Sequence, residues 1–162
     1  MFEIMTDALK NSIYGKHIHI HPMDALKGLT HEMASKVPEN SEHSCWHLLY
    51  HVVFWQDLML DAIRGKKQVS WPKNNEPSWP KELPKDAKKW DELVHRFKSG
   101  IEEAYKMTED IESLEDLPAW PKAPAFRALM VIGQHNAYHI GEIVALRQAL
   151  GYWPPSLDYK TF

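Results

Sequence analysis

Cysteine is nearly absent from this chain of 162 residues, and the sequence contains no long block of like-charged residues. The single cysteine, Cys45, excludes an internal disulfide framework and is compatible with a reducing compartment. A lone cysteine is most often a small buried apolar residue, so no catalytic role is predicted for it. With 19 Lys and Arg against 22 Asp and Glu, the formal net charge is -3. Because no basic tract is present, we do not expect a nucleic-acid partner.

Long apolar runs are missing as well. The longest charge-free apolar stretches, 43–56 and 128–141, have 14 residues each and include histidines, whereas a membrane span needs about 20 apolar residues. Near the start of the chain, Glu3 and Asp7 stand where a signal peptide requires a positive segment and then an apolar run. We therefore expect a cytoplasmic protein with no membrane partner. Its length and its 44% hydrophobic content suit one globular domain over residues 1–162.

Apolar residues recur at helical spacing in four segments. They predict four helices, which cover 2–14, the segment from a cap at Ser41 or Ser44 to residue 64, about 85–105, and 125–150. Broken helical turns are predicted in 23–35. Two long connections, 69–84 and 112–124, are rich in Pro and Trp. Only 16–21 alternates apolar and polar residues as a strand does, and it is short. The sequence thus predicts an all-α fold, a four-helix bundle with long Pro- and Trp-rich connections.

Ten histidines are present, and two of them lie on the inward face of the last predicted helix. His135 and His139 are one turn apart, so both imidazoles can reach one ion at roughly 2.0 to 2.1 Å. In the second long helix, His51 lies about 60° from the centre of the apolar stripe and His47 about 100°, which favours His51. We therefore predict a metal site of His51, His135 and His139. Glu142 is predicted to support a ligand, to be a fourth ligand or to carry protons, unless it is simply solvated.

A purely structural role is the alternative for these histidines. A single histidine on an apolar face is more often a hydrogen-bonded core residue than a ligand. Two inward histidines on one helix are harder to explain in this way, because each buried imidazole without a partner costs about 1 to 3 kcal/mol. Spacing alone leaves the two interpretations open.

Two segments of the chain resemble the DinB-like family, which includes the YfiT-type metal-dependent hydrolases. They are SCWHLLYHVVFW (44–55) and GQHNAYHIGEIVALR (133–147), the latter followed by GYWPP (151–155). The resemblance spans nearly the whole chain and implies a four-helix bundle, commonly a homodimer. It also implies that one histidine of the second helix and the HxxxH pair of the last helix bind a divalent metal. His51, His135 and His139 match those positions, and His51 stands shortly before an aromatic pair, as the family's histidine does.

The expected chemistry is that of an ion with open coordination positions. Three neutral imidazoles leave the double charge of the ion intact, which activates water or a thiol near neutral pH. The sequence therefore predicts a metal-dependent enzyme acting on a small molecule, either a hydrolase or a small-thiol S-transferase of the detoxification type. The resemblance favours the transferase. Zinc or nickel is the expected metal, with iron or manganese also compatible. The alternatives are a non-catalytic, stress-related metal-binding bundle and a dimerisation module whose histidines are a remnant.

Two further groups of residues have a possible functional interpretation. His17, His19 and His21 would share one side of an extended segment, and such a tract can bind metal, although a solvated connection is the favoured interpretation. Trp71 and Trp79 are candidates for a pocket near the metal that suits an apolar or electrophilic ligand. Packing of the connections over the ends of the bundle is the commoner role of such residues.

Overall fold

Helices make up most of the computed structural model, which describes residues 2–111 and 113–156. The long helices are α1 (Phe2–Tyr14), α4 (Cys45–Ile63), α5 (Ala87–Met107) and α6 (Ala125–Ala149), and the short ones are α2 (Pro22–Leu26) and α3 (His31–Ala34). A 3-10 turn covers Glu76–Ser78, and β1 (Asp116–Leu117) pairs antiparallel with β2 (Trp120–Pro124). Among the described residues, no helix combines the length and apolarity that crossing a bilayer requires.

The four long helices form the predicted bundle. α4 packs against α5 and α6, and α1 packs against the same two helices, so each long helix has two long neighbours. Fully buried aliphatic and aromatic side chains fill the space between them, among them Leu49 of α4, Phe97 of α5 and Ile132 of α6. Each such side chain contributes roughly 1.5 to 3 kcal/mol by leaving water. The all-α prediction is therefore confirmed.

A polar bridge crosses this core. Gln56 of α4 is completely buried, donates from Nε2 to the Phe97 carbonyl at 3.3 Å and accepts through Oε1 from Asn136 Nδ2 at 3.0 Å. The bridge requires glycine at position 100, because a Cβ there would lie 1.9 Å from Gln56 Nε2. One amide thus fixes the relative positions of α4, α5 and α6, the first and last of which carry the candidate site.

The start of α4 determines the role of His47. Ser44, one of the two predicted caps, accepts through Oγ from the His47 backbone N–H at 3.4 Å. In return, His47 Nδ1 accepts from the Ser44 backbone N–H at 3.2 Å, which completes a capping box. His47 is therefore engaged at the helix terminus, one turn away from His51.

The segment 16–21 is not a strand, so His17, His19 and His21 do not share one side of an extended segment. Gly15 and His17 have positive φ angles of 74° and 65°, which fold the chain into turns before α2 begins at Pro22. His21 Nδ1 then accepts from the Met23 backbone N–H at 3.2 Å, and His19 donates from Nδ1 to the Ile20 carbonyl at 2.7 Å. The rings of His19 and His21 thus have separate local partners.

The hairpin of β1 and β2 lies where an irregular connection is predicted. Its strands are too short for an alternating pattern, and β2 includes two prolines, which strands tolerate at sheet edges. Glu112, the first residue of that predicted connection, lies outside the described residues. The hairpin leads directly into α6, so it sets the path of the chain next to the candidate site.

Candidate metal centre

Three histidines from two helices converge between α4 and α6. The ligand atoms that His51, His135 and His139 offer all lie within 4.8 Å of one another. His51 and His139 are buried, and His51 Nε2 lies 3.3 Å from His135 Nε2. Two ligands at 2.0 to 2.1 Å from a tetrahedral ion are themselves about 3.3 to 3.4 Å apart. The structure therefore brings the three predicted side chains together, and His47 is not part of this cluster.

Ser78 fixes the orientation and the tautomer of His51. The hydroxyl of Ser78 donates to the Asn75 backbone carbonyl at 2.6 Å, and a carbonyl can only accept. The proton of Ser78 is thus committed, so its contact of 2.8 Å with His51 Nδ1 requires the ring nitrogen to be the donor. A neutral His51 therefore carries its proton on Nδ1 and turns the lone pair of Nε2 towards His135.

Glu142 does the same for His139. Its carboxylate Oε2 lies 2.6 Å from His139 Nδ1, and an ionised carboxylate accepts only. The Nδ1 proton of His139 therefore faces Glu142, which leaves Nε2 as the coordinating nitrogen. Metal-ligating histidines commonly have such a carboxylate partner, which orients the ring and raises its basicity. The geometry is that of the first predicted role of Glu142, a support for a ligand.

His135 lacks such a partner among the described residues. Its Nδ1 is buried with no hydrogen-bond partner there, while Nε2 faces the lone pair of His51. The His135 ring also meets the His139 ring edge-on, with centroids 4.6 Å apart. Three neutral imidazoles packed this closely can each turn one nitrogen lone pair towards a single cation.

Burial keeps two of these rings neutral. Removal from water, reinforced by the neighbouring His139, His135 and His43, lowers the pKa of His51 from 6.5 to about 4. Removal from water and the nearby His139 lower the pKa of His135 to about 4 as well. Both imidazoles are therefore unprotonated at neutral pH, the state in which they can coordinate a metal. The donor set fits a divalent ion that accepts imidazole ligands, and zinc, nickel, iron and copper share that property.

Trp79 holds the His51 ring from the connection between α4 and α5. The two rings are stacked, with centroids 4.2 Å apart and planes 14° apart. The indole also stacks on His43, at 4.1 Å. Trp79 follows Ser78 directly, so one short segment both receives the Nδ1 proton of His51 and covers a face of its ring. The sequence prediction named Trp79 as a pocket residue and missed Ser78, for which no spacing signal exists.

A pocket of about 520 Å³ opens beside the histidines. His51 and His135 form part of its wall, together with Trp71 of the first long connection and Trp120 of the hairpin. Trp71 was predicted as a pocket residue, and the structure places it there. Trp120 and Trp55 also line this pocket and were not predicted to do so. Trp79 packs on His51 and is not among the residues that line it.

A comparison with protein-family models places the chain in a known family. The family model of the DinB superfamily matches residues 23–143, which include His51, His135, His139 and Glu142. Comparisons with curated proteins and with solved structures gave no match.

Proposed function

Because the chain belongs to the DinB superfamily and brings three imidazoles to one point, we propose that it is a divalent-metal-dependent enzyme acting on a small organic molecule. The observation that carries this proposal is the convergence of ring nitrogens beside a pocket. His51 and His135 belong both to the histidine cluster and to the pocket wall, so a molecule in the pocket lies next to the proposed ion. We propose zinc or nickel as the ion, since imidazole suits both.

The reaction we propose is transfer of a low-molecular-weight thiol to an electrophile. A bound divalent ion supplies the positive charge that keeps a thiol deprotonated, or lowers the pKa of water towards about 7. In the transfer, the thiol proton goes to solvent, a bond forms between sulfur and the electrophilic carbon, and the leaving group departs with its bonding electrons. The apolar walls of the pocket suit an apolar electrophile, which is the second reactant of this transfer.

The residues of the chain have distinct tasks in this proposal. His51, His135 and His139 hold the ion, and Ser78 and Glu142 keep the rings of His51 and His139 in the coordinating tautomer. Glu142 contacts the far nitrogen of His139, so we assign it as a positioning residue. Its side chain is 40% exposed, which leaves the predicted proton-carrying role as a second possibility to test.

The first test is metal content. Untagged wild-type protein is expected to retain one divalent ion per chain, measured by elemental analysis, while His51→Ala and His135→Ala lose it. His47→Ala is the matched control, because it removes a histidine from the same helix that serves only the capping box. Loss of a cap costs about 1 kcal/mol, so this variant is expected to fold and to keep the ion. Equal metal content in all four proteins would refute the site.

The second test is turnover. Metal-loaded wild type is incubated with cysteine and an aryl chloride, and thiol consumption and chloride release are followed together. A nitrophenyl ester serves as the hydrolytic substrate. Metal-dependent thiol consumption that His135→Ala abolishes, with its helical circular dichroism retained, supports the proposal. Ester cleavage alone would replace transfer with hydrolysis. Metal binding without turnover of the aryl chloride or of the ester would favour the non-catalytic metal-binding bundle.

The homodimer that the family resemblance implies is a separate proposal. Analytical sedimentation of the wild-type protein tests it.

A further inference from the structure

The pocket beside the histidines has walls of one chemical character. Three indoles line it, those of Trp55, Trp71 and Trp120, and the rest of the wall is largely aliphatic, including Met59 and Val131. The polar lining residues are Asn75 and the two histidines, His51 and His135. No Asp, Glu, Lys or Arg lines this pocket in the described part of the chain. That is notable because charged residues make up 25% of the sequence.

Two other surface grooves of the molecule are lined by charged side chains. The groove between α4 and α5 contains Asp61, Arg64 and Glu103, and the groove beside Trp46 contains Lys81, Lys85 and Lys89. These grooves can compensate a charged ligand, whereas the pocket beside the histidines offers a charged group no counterion from the described side chains. A charged group that is buried without a counterion loses its hydration and gains no interaction that offsets this loss. The pocket therefore disfavours charged molecules.

The aromatic walls are held in place before any ligand arrives. Trp71 donates from Nε1 to the Ala119 backbone carbonyl at 2.8 Å, which ties the first long connection to the hairpin. Its ring lies 5.1 Å from that of Trp120, tilted by 55°. Trp55 belongs to α4 and shares its rigidity. Preformed aromatic walls bind flat, apolar molecules well, because no loop must be ordered on binding.

We propose that this pocket selects a neutral, aromatic molecule as the organic substrate, and that Trp55, Trp71 and Trp120 set this specificity. The inference rests on the proposed function only in calling the occupant a substrate. The volume of the pocket, about 520 Å³, falls in the usual range for sites that enclose small organic ligands. Any charged groups of a thiol co-substrate stay outside it, in solvent.

The test compares ligands of one shape and three charges. Naphthalene-2-carboxamide is neutral, naphthalene-2-sulfonate is an anion that coordinates metals poorly, and 2-naphthylmethylammonium is a cation. Each is titrated by calorimetry into the chelator-treated full-length protein, so that no divalent ion beside the pocket attracts the anion. We expect the carboxamide to bind at least tenfold more tightly than either ion. Comparable affinity for all three, tighter binding of an ion, or no binding of the carboxamide would overturn the proposal.

Variants locate the binding in the pocket. Trp120→Leu is expected to weaken carboxamide binding at least tenfold, and Trp71→Phe, which also loses the bond to Ala119, is the second variant. Leu114→Ala is the control, because this exposed side chain lies outside the pocket on the same connection as Trp120. Equal weakening by the control, or none by either tryptophan variant, would contradict the assignment. The measurement needs no turnover, so it stands apart from failure of the proposed reaction.

Discussion

Replacing Ser78 with alanine removes the acceptor of the His51 Nδ1 proton and leaves all three histidines in the chain. The Ser78 side chain is completely buried, and its hydroxyl lies 2.8 Å from His51 Nδ1. A buried N–H without an acceptor costs about 1 to 3 kcal/mol. His51 can avoid this cost by rotating its ring or by moving the proton to Nε2, the nitrogen that is proposed to bind the ion. Either response weakens coordination.

The expected loss in metal affinity is about 10- to 100-fold, the usual effect of removing a hydrogen-bond partner of a ligand. This corresponds to about 1.4 to 2.8 kcal/mol. Zinc is titrated in competition with a chromophoric chelator near neutral pH. Nitrogen NMR of the imidazoles of the metal-free variant is expected to show Nε2–H character at His51, a change that a merely structural serine would not produce.

Ser70→Ala is the matched control, since it removes an exposed hydroxyl from the same connection. It is expected to leave the zinc dissociation constant within about twofold of wild type. The reasoning is refuted if Ser78→Ala binds zinc as tightly as Ser70→Ala does, or if its His51 keeps the proton on Nδ1.

Three further predictions concern the core and the titrating groups. Gly100→Ala is expected to cost about 2 to 4 kcal/mol in urea unfolding, because its Cβ would displace the buried Gln56 amide; an unchanged midpoint would contradict this. In chelator-treated protein, the pKa values of His51 and His135 are about 4 in the folded state, against 6.5 for the unfolded chain. The unfolded chain therefore binds more protons than the folded protein between about pH 4 and pH 6.5. Each unit of pKa difference corresponds to about 1.4 kcal/mol, so stability should fall by several kcal/mol as pH drops from about 6.5 towards 4, and a flat urea profile would count against it. Burial raises the pKa of the Cys45 thiol to about 11, so mass spectrometry should find it unmodified by iodoacetamide at mildly alkaline pH until the protein unfolds.

The helical part of the molecule and the inward positions of His51, His135 and His139 could be predicted from local periodicity. The first helix has the predicted bounds, Phe2–Tyr14, and α6 ends within one residue of the prediction. Angular position on α4 selected His51 over His47, and the structure brings His51 to the other two histidines. These predictions succeeded because the face on which a helical residue lies depends on spacing alone.

The parts contributed by the connections could not be predicted in this way. Ser78 reaches His51 across 27 residues, and Trp71 is fixed by the Ala119 carbonyl 48 residues away. Neither contact leaves a periodic signal, because the path of an irregular segment depends on such long-range bonds. Arg147 is a similar case. It is fully buried and donates to the carbonyls of Ala25 and Lys27 near the end of α2, whereas its spacing identifies it only as a charged residue.

This division between helices and connections has a functional consequence. The distances between the three ligands depend on the packing of α4 against α6, which the buried bridge of Gln56 and Asn136 supports. The tautomer of His51 and the walls of the pocket depend instead on the connections that carry Ser78, Trp71 and Trp120. In the proposed enzyme, changes in the connections therefore alter metal affinity and substrate choice while the three histidines stay in place. Under the proposed function, one bundle then suits different substrates, because the geometry of the three histidines and the lining of the pocket are encoded in separate segments of the chain.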